Sequence, residues 1–318
     1  MTGYLIRRFL QAVVVVWLVT VITFLLLKAL PGGPVRAILG TRANDLALVR
    51  ALTIQLGFNK PIWYQYWHWL DQLLHGNLGF SYYYNQSVGS LLAQRLPKTL
   101  LLVGVGTVLA LVIAVPFGII QAVRRNQLAD YLGTAFSFLF YAMPVYLTGI
   151  ILINAFALGT HTFPSEGAQG PGVSSFFTNF NAMVLPVITL TLLTVASFSR
   201  YMRSSTLDQV TQDYVRTARA KGVGEGRILY RHILRNALIP IATLVGLSLP
   251  AVFSGALITE QLFNYPGMGL LFYTAATVQD YPTLLGITVL VAFATVLGSL
   301  VADILYAVLD PRVRYVSA

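Results

Sequence analysis

Charge and cysteine are what this 318-residue sequence has least of. The absence of cysteine excludes a disulfide framework, a thiol nucleophile and a thiolate metal site. Charged residues make up 10% of the chain, against roughly 25% in soluble domains, whereas hydrophobic residues make up 56%. The composition therefore indicates a membrane protein.

The usual catalytic motifs are also missing from the sequence. Gly-Lys does not occur, so the common phosphate-binding loop is absent. The four histidines, His68, His75, His161 and His232, do not have metal-ligand spacing. We expect His68 and His75 on the surface and His232 in a contact or a local hydrogen bond. We expect no catalytic residue, cofactor or metal in this chain, so its energy source must lie elsewhere.

Six long apolar runs predict six transmembrane helices, because about 20 residues cross the hydrocarbon core. The runs cover residues 9–27, 100–123, 131–158, 183–199, 241–259 and 284–308. The first is too long for a signal-peptide core, so we expect it to be retained. The second contains small residues that favour close helix packing, namely Gly104, Gly106 and Gly118. The predicted fold is an all-α polytopic membrane protein.

The positions of Lys and Arg predict the orientation of the chain. The loops 159–182 and 260–283 contain neither residue, whereas the intervals on the other side are basic. The basic side carries Arg7, Arg8, Arg124, Arg125, Arg200, Arg203, six cations within 213–236, Arg312 and Arg314. Both termini and the loop 200–240 are therefore predicted to be cytoplasmic. Basic residues confined to short intervals between apolar runs argue against nucleic-acid binding.

We predict three regions: residues 1–30 with the N-terminus and first span, a long external insertion at 31–98, and a five-helix core at 99–318. In the insertion, residues 43–56 have helical periodicity that stops at Gly57. Residues 61–74 are rich in aromatics, including Trp63, Trp67 and Trp69. Such rings favour the headgroup layer, but packing against the protein's own spans is an equal alternative.

The cytoplasmic loop 200–240 predicts two short helices. Apolar residues recur at helical spacing over 207–218, and Gly222 and Gly224 then end the first helix. Arg227, Arg231 and Arg235 are four residues apart and predict a basic stripe on the second helix. Pro240 then opens the next apolar run. A helix-Gly-helix element between two spans is a plausible docking surface for another protein.

The loop also carries a family resemblance. Asp213-Tyr-Val-Arg-Thr-Ala-Arg-Ala-Lys-Gly222, with 231–240, resembles the cytoplasmic EAA loop of ABC-importer permeases, in the form of the B-type subunit of the dipeptide/oligopeptide/nickel family. The general Glu-Ala-Ala is replaced by Arg216-Thr217-Ala218, and Pro240 lies later than in the general motif. Further similar segments occur at 31–34, 56–61, 76–81, 141–146, 263–269 and 310–312.

The resemblance implies that the loop contains the coupling helix that docks an ATPase subunit. The implied docking residues are Asp213, Tyr214, Arg216, Ala218, Arg219, Ala220, Lys221, Gly222, Glu225, Arg227, Arg231 and His232. It also implies a second homologous permease subunit, two ABC ATPase subunits that hold ATP and Mg, and an external substrate-binding protein. The implied location is the plasma (inner) membrane of a bacterium or archaeon, and the implied substrates are short peptides.

Several alternatives stay open. The same family imports nickel chelates and glycosides, and the competing classes are an ion-gradient-driven secondary transporter and a structural membrane scaffold. Pro144, Asn154, Pro266 and Gly267 are candidates for the pathway or its gating, although Pro144 could be a static bend and Asn154 a helix-packing group. For the two acidic residues within or near spans, Glu260 and Asp303, we favour a helix-end or inter-subunit role over proton coupling.

Overall fold

The computed structural model describes residues 2–29, 35, 39, 44–170, 172–254 and 256–309. In this part of the chain the N-terminal half comprises α1 (Thr2–Ala29), α2 (Leu46–Gln55), α3 (Ile62–Leu74), an antiparallel hairpin of β1 (Phe80–Ser81) and β2 (Gln86–Ser87), α4 (Val88–Val123), α5 (Leu128–Ala142) and α6 (Val145–Leu152). A π-helical segment (Ile153–Gly159) extends α6. Among the described residues, the predicted all-α class therefore holds apart from a hairpin of two two-residue strands.

The C-terminal half begins with the short helix α7 (Ser174–Thr178), followed by α8 (Phe180–Val210) and α9 (Asp213–Ala220). α10 (Glu225–Arg227) passes through a second π-helical segment (Ile228–Ile233) into α11 (Leu234–Ser254). The chain ends with α12 (Leu257–Leu262), α13 (Met268–Thr277) and α14 (Tyr281–Leu309).

Four helical segments are long and apolar enough to cross a membrane: Val88–Val123, Phe180–Val210, Glu225–Gly246 and Tyr281–Ser299. The bent pair of α5 and the extended α6 would be a fifth span. The predicted first span lies in α1, whose shorter apolar part is Val13–Leu26. The chain is therefore a multi-pass membrane protein whose described residues contain four or five such spans, and the count of six stays a prediction.

Three helices begin earlier in the chain than the spans predicted within them. α4 begins at Val88, before the span predicted at 100–123, because Ser87 caps it and Val88 packs into a core with Met268. The predicted boundary of the insertion at residue 98 therefore falls inside a helix. α8 extends beyond 183–199 at both ends. The helix of the span predicted at 241–259 begins at Glu225 and is described as far as Ser254.

The centre of the fold is the contact between α4 and α8, the most extensive between any two described elements. Small residues recur every fourth position along α4, at Gly106, Ala110, Ala114 and Gly118, so they line one helix face. A Cβ on Gly118 would lie 2.6 Å from the backbone oxygen of Ser199. The predicted close packing is confirmed at Gly106 and Gly118, whereas Gly104 has nothing within 4 Å of its Cβ position.

The two helices predicted in the insertion, α2 and α3, form as predicted. Asp45 caps α2 by accepting hydrogen bonds from two backbone N–H groups, and the chain leaves α2 through Gly57 at φ +71°. α3 packs against α1, where the Phe24 ring lies 5.5 Å from Tyr66 and 5.8 Å from Trp69. The packing alternative thus holds for one face of α3. The opposite face leaves two tryptophans exposed, Trp63 and Trp67.

A cleft of about 1220 Å³ opens between α2, α3 and the hairpin on one side and the start of α14 on the other. Ser81 of the hairpin closes one side of it by donating a 2.5 Å hydrogen bond to the carboxylate of Asp280. Thr283, in the first turn of α14, donates to the same carboxylate at 2.7 Å. The hairpin is thereby fixed to the outer end of the last helix.

Candidate functional site

The chain reverses direction between α8 and α11, and this reversal is the candidate site. The predicted helix over 207–218 is interrupted: α8 ends at Val210 and α9 begins at Asp213. Gln212 is extended (ψ 150°), and its carbonyl accepts from the N–H groups of Val215 and Arg216. Asp213 then places a negative charge in the first turn of α9, which favours the helix dipole.

The inner face of α9 is buried against the chain's own helices. Val215 and Ala218 form a core cluster with Ile228 and Ile233 of the π-helical segment. Ala218 is therefore covered by this chain, and its small side chain permits the close approach of that segment. The phenol of Tyr214 donates to Gln209 at 2.8 Å. The same oxygen accepts from Asn236 at 3.2 Å.

These last two contacts join three helices. Gln209 belongs to α8, Tyr214 to α9 and Asn236 to α11. α9 is thus tied at its start to both long helices that flank it.

Gly222 forms the turn that ends α9. Its φ is +74°, as the sequence predicted, in the left-handed region that suits glycine. The N–H of Val223 bonds to the carbonyl of Ala218 at 3.1 Å, and that of Gly222 to Arg219 at 2.9 Å. This pair of bonds is a Schellman motif, and Val223 completes it by joining the core cluster around Ala218. Gly224 has an ordinary φ of −62°.

The outer face of the reversal is basic. Arg219 donates two hydrogen bonds to Glu225, at 2.6 and 3.1 Å, and this contact raises the pKa of the guanidinium above its usual value. Arg216 lies 3.6 Å from Asp213. Within residues 213–236, all of which the structure describes, four further exposed cations have no ion-pair partner: Lys221, Arg227, Arg231 and Arg235.

Other predicted docking residues lie at the edges of this surface. Ala220 is exposed, whereas His232 is half-buried and its carbonyl accepts from Asn236. Sequence reasoning missed Tyr230, whose side chain is 71% exposed beside the unpaired arginines. Tyrosine is common in protein interfaces, since it combines a large ring with a polar end. Its spacing gave no signal, because the π-helical turn changes which residues share a face.

The pathway candidates lie in two parts of the chain. Pro144 lies in the 104° bend between α5 and the extended α6, where Met143 is extended, as a following proline favours. Asn154 is exposed and donates to the carbonyl of Ile150 on its own helix. Pro266 and Gly267 lie in the turn between α12 and α13.

Glu260 lies beneath that turn and is fully buried. One carboxylate oxygen accepts from the Thr99 hydroxyl at 2.7 Å. The other accepts from the N–H groups of Gly269 and Leu270, at 2.7 and 3.1 Å. The carboxylate therefore caps the N-terminus of α13. This is the helix-end role that we favoured, but the helix is α13 and not the helix of the fifth span.

The surrounding backbone fits closely around this carboxylate. A Cβ on Gly267 would collide with the Glu260 carboxyl group, and one on Gly269 with the backbone of Leu257. Thr99 also accepts from the N–H of Met268 at 2.7 Å, so a single hydroxyl joins α4 to both sides of the turn. The side chain of Asp303, the other candidate, lies outside the described residues, as do residues 31–34 and 310–318.

No group of three or more His, Cys, Asp or Glu residues that could hold a metal ion occurs among the described residues. The groups that the outer face of the candidate site exposes are mainly cations.

The sequence matches two family models and is similar to known transport proteins. Residues 114–315 match the family model described as binding-protein-dependent transport system inner membrane component, and residues 1–103 match the model of its N-terminal part. The oligopeptide transport system permease protein AppB of Bacillus subtilis (strain 168) is 38% identical over 317 residues, covering 99% of this chain and 100% of that protein.

The glutathione transport system permease protein GsiC of Escherichia coli (strain K12) is 33% identical over 315 residues, covering 99% of this chain and 100% of that protein. Among solved structures, an inward-facing conformation of the MetNI methionine ABC transporter aligns with a TM-score of 0.52 and 17% identity. That alignment covers 69% of this chain and 96% of the other. At this identity the likeness concerns the fold alone.

Proposed function

The chain belongs to the family of binding-protein-dependent transport system inner membrane components, and we propose that it is the permease subunit of an ATP-driven importer of short peptides. It would form half of the translocation pathway and dock an ATPase subunit through residues 213–236. Full-length relatives named oligopeptide and glutathione permeases support the peptide substrate class.

The observation that supports the docking proposal is the set of contacts that attach α9 to the helices on either side of it. Closure of the ATPase subunits on ATP must reach the membrane helices through an element that both contact. α9 is hydrogen-bonded to α8 and α11 through Tyr214, and its inner face is packed against the π-helical segment that leads into α11. Its outer face is basic, so it complements an acidic surface on the partner.

The remaining parts of the importer follow from the family. A second homologous permease subunit would complete the pathway, two ABC ATPase subunits would hold ATP and Mg, and an external substrate-binding protein would deliver the peptide. Both termini and the docking loop would lie in the cytoplasm, with α2, α3 and the hairpin outside. The basic side chains of the loop and its neighbours support this orientation.

Two glycines of the loop provide a matched test of docking. Gly222 and Gly224 are both exposed, and neither has an atom within 4 Å of its Cβ position. They differ in φ, at +74° and −62°. Gly222→Val would therefore strain the turn by roughly 1–3 kcal/mol and displace α9, whereas Gly224→Val adds the same side chain without that strain.

The measurement is co-purification of the ATPase subunits with the tagged permease, together with ATP-dependent uptake of tritium-labelled trialanine into proteoliposomes. We expect Gly222→Val to insert normally but to lose ATPase subunits and uptake, and Gly224→Val to retain both. Gly222→Asn should fall between them, because Asn tolerates the left-handed region. Normal co-purification and uptake by Gly222→Val would refute the docking assignment.

A further inference from the structure

A buried ion pair joins α5 to α8 near the docking loop. Arg203 donates to both carboxylate oxygens of Asp130, from Nε at 2.7 Å and from Nη2 at 2.8 Å. The Asp130 side chain is 4% exposed and that of Arg203 is 29% exposed. Asp130 also accepts from the backbone N–H of Asn126 at 3.0 Å. The Thr134 hydroxyl lies 3.5 Å from the same carboxylate, which thus has four hydrogen-bond donors.

This pair is part of a wider attachment between the two helices. Arg200, one turn before Arg203, lies over the rings of Phe138 and Tyr141 of α5, at 4.7 and 4.5 Å. Ser137 and Ser199 are hydrogen-bonded to each other at 3.1 Å. Charge, ring and hydroxyl contacts therefore hold α5 along the cytoplasmic half of α8. Of these, only the Arg203 contact is an ion pair.

The position of the pair relates it to transport. Arg203 lies two helical turns before α8 ends at Val210, and the docking helix α9 begins at Asp213. Asp130 lies in the first turn of α5, the helix that leads to the 104° bend before α6. The pair therefore connects the helix that carries the docking loop with the helix that enters the bend.

We propose that the Asp130–Arg203 pair is the link through which movement of the docking loop reaches the bent helix pair α5–α6. The inference rests on the proposed function. Both side chains are positioning residues: they keep α5 and α8 moving as one body while the bend absorbs the change. The bidentate geometry suits this task, because two parallel hydrogen bonds fix orientation as well as distance.

A purely structural role predicts a different outcome. A buried carboxylate that loses its cation destabilises the fold, so a structural ion pair would lower the yield of folded permease. The assembled permease that remained would still transport one substrate for the same amount of ATP. If the pair is a link, assembled complexes of the variants should transport less substrate than the parent for each ATP that they hydrolyse.

The experiment therefore measures trialanine uptake per ATP hydrolysed, in proteoliposomes that contain the complete transporter and its binding protein. The variants are Asp130→Asn and Arg203→Gln. The control is Arg125→Gln, which removes one exposed cation from the turn beside α5 without touching the pair. We expect uptake per ATP to fall about fivefold or more in the two variants, within the usual range of coupling between sites, and to be unchanged in the control.

The lack of cysteine in the chain permits a second measurement. In the double variant Asp130→Cys and Arg203→Cys, a bifunctional thiol reagent that spans the ion pair would replace it by a covalent bridge. Because the proposal requires α5 and α8 to stay together, bridging should restore uptake per ATP to near the parent value. The bridged double variant also tests the proposal if Asp130→Asn or Arg203→Gln fails to assemble with the ATPase subunits.

Two results would overturn the proposal: parental uptake per ATP in Arg203→Gln, or a bridged double variant that assembles but stays uncoupled. A failure of the proposed function is distinguishable, since the parent chain itself would then neither retain ATPase subunits nor take up peptide. If only the proposal about the link is wrong, the parent chain still takes up peptide, and the unexpected results are confined to the Asp130 and Arg203 variants.

Discussion

Thr99→Val removes the hydroxyl that joins α4 to the α12–α13 turn and keeps the shape of the side chain. Thr99 is fully buried, donates to Glu260 at 2.7 Å and accepts from the N–H of Met268 at 2.7 Å. The variant leaves one buried N–H without an acceptor and one carboxylate oxygen without a donor. At roughly 1–3 kcal/mol for each such group, the free energy of unfolding should fall by about 2–6 kcal/mol.

The assay is the melting temperature of the purified transporter in detergent. A loss in this range should lower the melting temperature by about 3–9 °C, given an unfolding entropy of roughly 2.1 cal/mol/K per residue. Thr99→Ser is the matched control, because it keeps the hydroxyl and loses one methyl group, worth about 0.8 kcal/mol. Equal shifts for Val and Ser would mean that the methyl group, and not the hydrogen-bonded hydroxyl, stabilises this contact.

Two further predictions concern exposed surfaces. Replacing Trp63 and Trp67 together by Ala should reduce uptake without reducing membrane insertion, because these rings are 64% and 58% exposed; unchanged uptake and unchanged binding-protein affinity would show that neither ring is used. Arg219→Gln should leave the melting temperature near the parent value, since its partner Glu225 is exposed, but should weaken ATPase binding in a pull-down; unchanged binding would exclude Arg219 from the docking contact.

Features of the candidate site that depend on neighbouring residues were predictable from the sequence. A helical pattern followed by glycine predicted the turn at Gly222, and the positive φ confirms it. The same reasoning predicted α2 with its stop at Gly57, and the aromatic helix α3. These features are decided within one or two turns of chain, where capping and glycine preferences act directly.

Features that depend on distant residues were not predictable. Thr99 and Glu260 are 161 positions apart, and Asp130 and Arg203 are 73 apart. Nothing local distinguishes Arg203 from the exposed cations near it. The start of α4 at Val88 was missed for a similar reason: its first turns are stabilised by Met268 and Leu271, which follow much later in the chain.

The two buried contacts lie at opposite ends of the α4–α8 pair, and this separation gives the last prediction. Gly118 of α4 packs against the backbone of Arg203, and a rise of 1.5 Å per residue puts about 28 Å between Gly118 and Thr99. At that distance, losses of stability in the double variant Thr99→Val with Arg203→Gln should add to within about 0.5 kcal/mol.

Transport should behave differently from stability in this double variant. Arg203 joins α8 to α5, whereas Thr99 joins α4 to the α12–α13 turn, so the proposed link to α5–α6 does not pass through Thr99. Thr99→Val should therefore lower the melting temperature without changing uptake per ATP. The double variant should then show the uptake per ATP of Arg203→Gln alone, while its melting temperature falls by the sum of both shifts. A further loss of uptake per ATP in the double variant would show that the Thr99 contact also carries movement of the docking loop.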